Sequence, residues 1–161
     1  MIRGAFGSGI ASRIAPKLWQ GGFPIDPAGL RGKFDAIVLC AVELQPDGIA
    51  DADTFPEDVE VICAPLRDED DIDVSPEEIE VATWAANRVI EALRAGKRVL
   101  STCAMGRNRS GLVSALALVG RYGMSGREAA AHVRRRRKNA LTNPSFSEFL
   151  DRVPPGGRLG G

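Results

Sequence analysis

One stretch of this chain combines residue types and spacing suited to chemistry: Cys103-Ala104-Met105-Gly106-Arg107-Asn108-Arg109-Ser110-Gly111. A thiol is followed six positions later by an arginine and then by a hydroxyl, with a glycine between. Val99-Leu100 ahead of it closes a buried strand pattern. Leu112, Val113, Ala115, Leu116, Leu118 and Val119 behind it recur over a helical length. The thiol is therefore expected at the end of a strand, with a helix beginning near Ser110. Unpaired N–H groups and the helix dipole at such a start attract anions. The turn from Ala104 to Arg109 can aim further N–H groups inward as a nest. Gly106 can take a positive φ and let backbone approach a ligand. Arg109 offers a planar fork to two oxyanion oxygens. The same field acts on sulfur: a helix start and a guanidinium lower a thiol's pKa by about three units, roughly 4 kcal/mol in favour of the anion. Ser110 is placed to donate its hydroxyl to that sulfur. The expected site is an oxyanion cradle built from Ala104, Met105, Gly106, Arg107, Asn108 and Arg109 around a nucleophilic Cys103.

This pattern resembles the signature of the cysteine-dependent protein phosphatases, with five residues between Cys103 and Arg109 and Ser110 directly after. Gly106 and Gly111 complete the match. The resemblance is to the dual-specificity (tyrosine, serine and threonine) type and runs from about Lys17 to Leu150. It implies phosphomonoester hydrolysis through a cysteinyl-phosphate, with no metal and no cofactor. A phosphorylated protein or peptide is the implied substrate, and phosphate or vanadate would be site ligands. One departure stands out: the family has His immediately before the cysteine, and this chain has Thr102. The expected consequence is a working loop with a less acidic nucleophile.

Displacing an alkoxide or phenolate from phosphorus is easier when a carboxylic acid protonates the leaving oxygen. Val59 to Leu66 reads as a strand and is followed by Arg67-Asp68-Glu69-Asp70-Asp71-Ile72-Asp73. In the dual-specificity phosphatases the acid is an Asp shortly after the equivalent strand, which favours Asp68. Asp70, Asp71 and Asp73 are its rivals. The other carboxylates of the run read as a solvated acidic loop, favourable near a helix start.

The elements that must hold these residues are legible in outline. Leu18 to Gly22 reads as a strand entering a turn, and Phe34 to Cys40 as a buried strand. Ala41 to Pro56 reads mostly as loop. Ser75-Pro76-Glu77-Glu78 opens a helix with a capping box and proline at its first position. Apolar residues at helical spacing carry that helix to Ala95, and Gly96 stops it. Tyr122-Gly123 ends the helix after the loop, Ser125 and Glu128 form a second capping box, and Phe146, Phe149 and Leu150 suit a last short helix. Strands alternating with helices predict a single α/β domain with a central mostly parallel sheet flanked by helices, and the resemblance implies that this fold is phosphatase-like. Ligands in such sheets bind beyond the carboxyl ends of the strands. The expected division is an N-terminal arm over 1–15, the domain over 16–152 and a flexible tail over 153–161.

The 161 residues allow one domain with a sizeable core. The 21 basic and 21 acidic residues balance, so the molecule as a whole has no electrostatic bias toward nucleic acid or membrane. No apolar segment is long enough to span a bilayer, and the first residues do not read as a secretory signal. Three cysteines argue against a disulfide framework. A cytoplasmic, reducing setting is expected. Cys40 and Cys63 read as core residues, either of which could cap an oxidised Cys103. His132 reads as a boundary residue, and no cluster has metal-ligand spacing.

Arg134-Arg135-Arg136-Arg137-Lys138 reads first as a solvated helix end. In the resembled family an Arg and an Asn near this point brace the phosphate loop, so Arg137 or Asn143 is expected to do so here. Two other readings stay open. Gly106-Arg107-Asn108-Arg109-Ser110-Gly111 is close to the loop of RNA 5′-triphosphatases, the one reading in which nucleic acid is a partner. The missing His admits a non-catalytic phosphate-binding module. A lipid phosphatase fits less well because the loop lacks lysines, and a sulfur-transfer domain because the Arg-Ser pair suits phosphate.

Overall fold

The computed structural model describes residues 11–24, 26–46 and 55–157. Its centre is a five-stranded sheet: β1 (Ser12–Ala15), β2 (Leu18–Gly22), β3 (Ala36–Ala41), β4 (Glu60–Leu66) and β5 (Val99–Cys103), in the spatial order β1-β2-β5-β3-β4. Only the β1–β2 pair is antiparallel; β2, β5, β3 and β4 run parallel. Every residue of β3 and β5 is buried, as expected for parallel strands covered on both faces.

Four α-helices follow the order read from the sequence: α1 (Pro76–Arg94), α2 (Arg109–Tyr122), α3 (Gly126–Arg136) and α4 (Pro144–Asp151). Side chains from all four join one core with Val38, Cys40, Val99 and Cys103, so the helices share one face of the sheet. The opposite face, carrying Ile37, Leu39 and Leu100, is covered by Leu30 of a 3-10 turn (Pro27–Leu30) together with Phe34, Phe55 and Val59. Helix α2 is the centre of the packing, buried at every residue from Arg109 to Val119. A helix apolar on all sides requires neighbours on all sides, and the sheet, α1 and α3 supply them.

Local signals explain the boundaries. Ser125 and Glu128 form the expected reciprocal capping box of α3, and Asn143 caps α4 by accepting from the N–H groups of Ser145 and Phe146. The α1 start differs from the expected box. Ser75 accepts from the Glu78 N–H, but the Glu78 carboxylate accepts from the Ser75 hydroxyl and from the Arg67 N–H at 3.1 Å. Glu78 thereby ties the start of the acidic loop to the helix. Ser12–Ala15, assigned from sequence to an arm, is instead the edge strand of the sheet; residues 1–10 lie outside the described residues. The near part of the expected tail is also held, with Val153 accepting from the Gly126 N–H and the Gly156 N–H donating to Met124. Cys63 is exposed on the edge strand β4 and is no core residue. Alternation along the strand gives it the outer position, which an apolar run does not reveal.

The start of α3 touches the end of α4 backbone to backbone. A Cβ on Gly126 would lie 2.0 Å from the Leu150 carbonyl oxygen. Gly126→Ala is therefore expected to cost about 1–3 kcal/mol through overpacking, read as a lower thermal midpoint in calorimetry. An unchanged midpoint would show that the two helices do not meet as described.

Candidate active site

The carboxyl ends of β3, β4 and β5 open onto one edge of the sheet, and the segments after each of them converge there. Between β5 and α2 the chain turns through Ala104 to Asn108. Its carbonyl groups point outward to partners: Met105 O accepts from Arg137 Nη2 at 3.3 Å, Gly106 O from Gln20 Nε2 at 3.0 Å and Arg137 Nε at 2.6 Å. Arg107 O accepts from the Leu141 N–H and Asn108 O from the Leu112 N–H. In a trans peptide the carbonyl and the following N–H point in opposite directions. Outward carbonyls at 105 to 108 therefore turn the N–H groups of Gly106, Arg107, Asn108 and Arg109 toward the centre. Among the described residues no acceptor meets these four groups. They form an anion nest over Gly106 to Arg109, part of the Ala104-to-Arg109 turn expected to supply one.

Gly106 has φ +68°, and a Cβ there would sit 2.3 Å from the Gly21 carbonyl carbon. Both facts demand glycine: one for the turn, the other for close approach to the end of β2. Gly22 pairs with Cys103 across the strands, so the two glycines at the end of β2 let the loop fold down beside the cysteine.

Cys103 lies at the floor, 3 % exposed, with Sγ 3.2 Å from Ser110 Oγ. Ser101 Oγ donates to the Ser110 carbonyl and steadies the first turn of α2. Thr102 is fully buried and donates its hydroxyl to the Val38 carbonyl at 2.7 Å. Thr102, which stands where the resembled family has His, is thus bonded into the sheet, and the loop is braced by Gln20 and Arg137.

Arg109 is the most constrained charge in the site. Its Nη1 and Nη2 bind the two carboxylate oxygens of Glu43 at 2.5 and 2.7 Å, and Nη1 also reaches the Leu66 carbonyl at 3.2 Å. Burial works against the charge, but the Glu43 hydrogen bonds and the charges of Cys103, Glu43 and Asp68 outweigh it and hold the guanidinium pKa above its usual value. The hydrogen bonds from Arg109 hold the Glu43 carboxyl below the usual carboxylate range. The buried Nε of Arg109 has no acceptor among the described residues. A buried donor without a partner is costly, and an oxyanion in the nest would supply one.

The acidic loop folds over the same edge. Asp68 Oδ1 accepts from Asn143 Nδ2 at 2.7 Å, and Oδ2 from Asn108 Nδ2 at 3.1 Å. Asn143 also donates to the Glu69 carbonyl, and Asn108 Oδ1 accepts from the Asn143 N–H. The side chains of the rivals Asp70, Asp71 and Asp73 make no such contact; Asp70 meets Ser145 only through its backbone carbonyl.

The structure thus gathers Cys103, Arg109, Ser110, Asp68 and the loop from Ala104 to Asn108. Met105 and Arg107 lie on the exposed rim. Arg137 and Asn143 both brace the site, one under the loop and one under the acid. Sequence reasoning missed Gln20, Glu43 and the side chain of Asn108. Glu43 lies in the 3-10 turn after β3 (Val42–Leu44), and no spacing along the chain ties it to Arg109. His132 binds the Ile14 carbonyl away from the site. Among the described residues no group of three His, Cys, Asp or Glu side chains could hold a metal, and no helix is long and apolar enough to cross a membrane.

No protein-family model matches the chain, and no curated protein matches it by sequence. Solved structures do match. Tk-PTP in its active form is 27% identical, with a TM-score of 0.71 over 89% of this chain and 97% of that one. Human DUSP28 is 24% identical, with a TM-score of 0.70 over 87% and 89% of the two chains. DUSP15 is 20% identical, with a TM-score of 0.69 over 88% and 85%.

The Arg109–Glu43 bridge has a pH signature. A carboxyl with a lowered folded pKa contributes stability that is complete above its unfolded value, and that stability is lost as pH falls through the lower folded one. Glu43→Gln should lower the thermal midpoint near neutrality, and the gap from the parent should narrow as pH falls through and below the usual carboxylate range. The same variant should weaken vanadate binding. A gap independent of pH would remove Glu43 as the anchor of Arg109.

Proposed function

We propose that this member of the cysteine-dependent phosphatase superfamily, dual-specificity type, hydrolyses phosphomonoesters on proteins or peptides through a cysteinyl-phosphate. The observation that carries this is the nest of inward N–H groups and the unpartnered Arg109 Nε, set around the thiol of Cys103. Each of these donors matches an oxygen of a tetrahedral phosphoryl group, and the one nucleophile sits beneath them.

The phosphoryl oxygens accept from the nest and from Arg109, and the Cys103 thiolate attacks phosphorus from below. Preformed donors in a water-poor site stabilise the charge that develops on those oxygens without reorganising. Asp68 gives its proton to the leaving oxygen. A carboxyl acting as acid carries its proton on one oxygen, so one of its two amide hydrogen bonds must open. The longer, more exposed bond to Asn108 is the one to yield, with Asn143 kept as pivot. Asp68 then takes a proton from the water that attacks the phosphocysteine. The Ser110 hydroxyl, in contact with Sγ, donates to the sulfur as it leaves.

A second reading is a 5′-triphosphatase acting on RNA. Arg107 on the rim lies close enough to Arg137 for its charge to add to the burial that lowers the Arg137 pKa. Two cations beside the nest suit a substrate with more than one phosphate.

The test is turnover of phosphotyrosine peptide, phosphothreonine peptide and triphosphate-ended RNA in parallel. Cys103→Ser should abolish turnover while still binding phosphate. Asp68→Asn should lose about 10²–10⁴ in rate on substrates with poor leaving groups and less on an activated aryl phosphate. Turnover that survives in Cys103→Ser overturns the mechanism, and binding without turnover in the parent chain makes the protein a phosphate-recognising module.

A further inference from the structure

Away from the candidate active site, the structure holds a second cavity, of about 300 Å³. A volume in that range suits one small molecule. The cavity lies where the edge strand β1, the last turns of α2 and one face of α3 meet, and Ile14, Leu118, Tyr122, Met124, His132 and Arg136 line it. Ile14 and Leu118 are buried and give it an apolar floor. It opens at the end of the sheet opposite to Cys103. Ala15 pairs with Leu18, and Leu18 with Val99, the first residue of β5, whereas Cys103 is the last. Along α2, Leu118 stands nine positions after Arg109, roughly 13 Å down the helix axis.

The rim of this cavity is cationic. Arg136 Nε donates to the Arg13 carbonyl at 2.9 Å, and its Nη1 and Nη2 have no acceptor among the described residues. The Arg121 guanidinium lies 5.2 Å from the centre of the Tyr122 ring. Arg13 is not a third cation here, because its guanidinium lies over Trp19, which packs on the other face of the sheet. No Asp or Glu lines the cavity. Among the described residues no carboxylate pairs with Arg121 or Arg136. An apolar hollow with an uncompensated guanidinium at its mouth matches a ligand that is apolar at one end and anionic at the other.

We propose that this cavity binds a small amphiphilic anion, a carboxylate on a short alkyl or aryl body, and that the bound anion steadies the loop after β5. Three side chains clamp the end of α3 to β1. His132 Nε2 donates to the Ile14 carbonyl at 2.7 Å, Arg136 Nε to the Arg13 carbonyl, and Arg137 Nη1 to Ser12 Oγ at 3.0 Å. The cavity lies at one end of this seam. At the other end Arg137 also donates to the carbonyls of Met105 and Gly106. A ligand touching both β1 and α3 binds the closed seam more tightly than a parted one, which is the differential contact that coupling between two sites requires. Arg137 directly follows Arg136, so a seam held closed at the cavity keeps the Arg137 clamp on the loop.

The test titrates octanoate, below its micellar concentration, into the full chain, with octan-1-ol as the uncharged comparator. His132 is the one histidine of the sequence, so its ring signals in NMR report on the cavity directly. The expected result is a saturable shift of those signals by octanoate and binding of octan-1-ol about tenfold weaker, for want of the charge-assisted bond. Met124→Trp, which fills the cavity, should abolish the shift. Arg136 is exposed, so Arg136→Gln serves should the first variant fold poorly, and it should bring octanoate down to the affinity of octan-1-ol. In saturating octanoate the amides from Ala104 to Arg109 should exchange their hydrogens severalfold more slowly. No saturable shift at His132, octan-1-ol bound as tightly as octanoate, or a folded variant that binds like the parent overturns the site. Binding at His132 with unchanged exchange in the loop overturns the coupling. Neither measurement uses turnover, so a chain without phosphatase activity gives the same answer about this cavity.

Discussion

The geometry of the site depends on four consecutive peptide planes being held with their carbonyls outward. A short loop left to itself does not keep its N–H groups converging on one point, because like dipoles repel and water satisfies both ends. Here Gln20, Arg137 and the Leu141 N–H grip the carbonyls of Gly106, Arg107 and, through Arg137, Met105. Each grip fixes the N–H on the next residue by peptide planarity. The donors come from β2, from the end of α3 and from the segment before α4, so the nest is assembled by tertiary structure and not by the loop alone.

The charges follow the same logic. Arg109 is buried, which alone would be costly, and Glu43 offsets it with a bidentate bond from an exposed position. That leaves Nε as a buried donor without a partner among the described residues. Asp68 is held by amides from the loop after β5 and from the cap of α4, which ties the acidic loop, the loop after β5 and the last helix into one unit. Asn143 has two duties in this unit: its carbonyl oxygen caps α4 and its amide nitrogen holds Asp68. The basic run is divided in a comparable way. Arg134 binds the Leu141 carbonyl and Ser147, Arg136 the Arg13 carbonyl, and Arg137 the phosphate loop. A stretch that reads as a solvated helix end is thus largely a set of clamps between α3 and its neighbours.

The chemical core was legible because its determinants are local. Strand, thiol, glycine, arginine and helix start occur within about a dozen residues, and each residue type has a physical requirement that few others meet. The capping signal at Ser125 is local too, and it marks its helix correctly. The choice of Asp68 over Asp70, Asp71 and Asp73 came from family resemblance, and only the amide contacts with Asn108 and Asn143 give it a physical basis. Glu43 was not visible because a carboxylate in a loop has no pattern until the chain closes over an arginine 66 positions away. Cys63 was misread because an apolar run does not say which of its alternate positions faces solvent at a sheet edge.

By itself, then, the sequence determined the outline of the candidate site: the order of elements and the place of the thiol between strand and helix. Those properties depend on backbone preference and on neighbours within a turn or two, which the chain carries with it everywhere. Only the tertiary structure decided which residues orient that site. Gln20 and Glu43 acquire their roles from strand order and parallel register, and contacts between distant segments arise from how a whole core closes, not from any spacing along the chain.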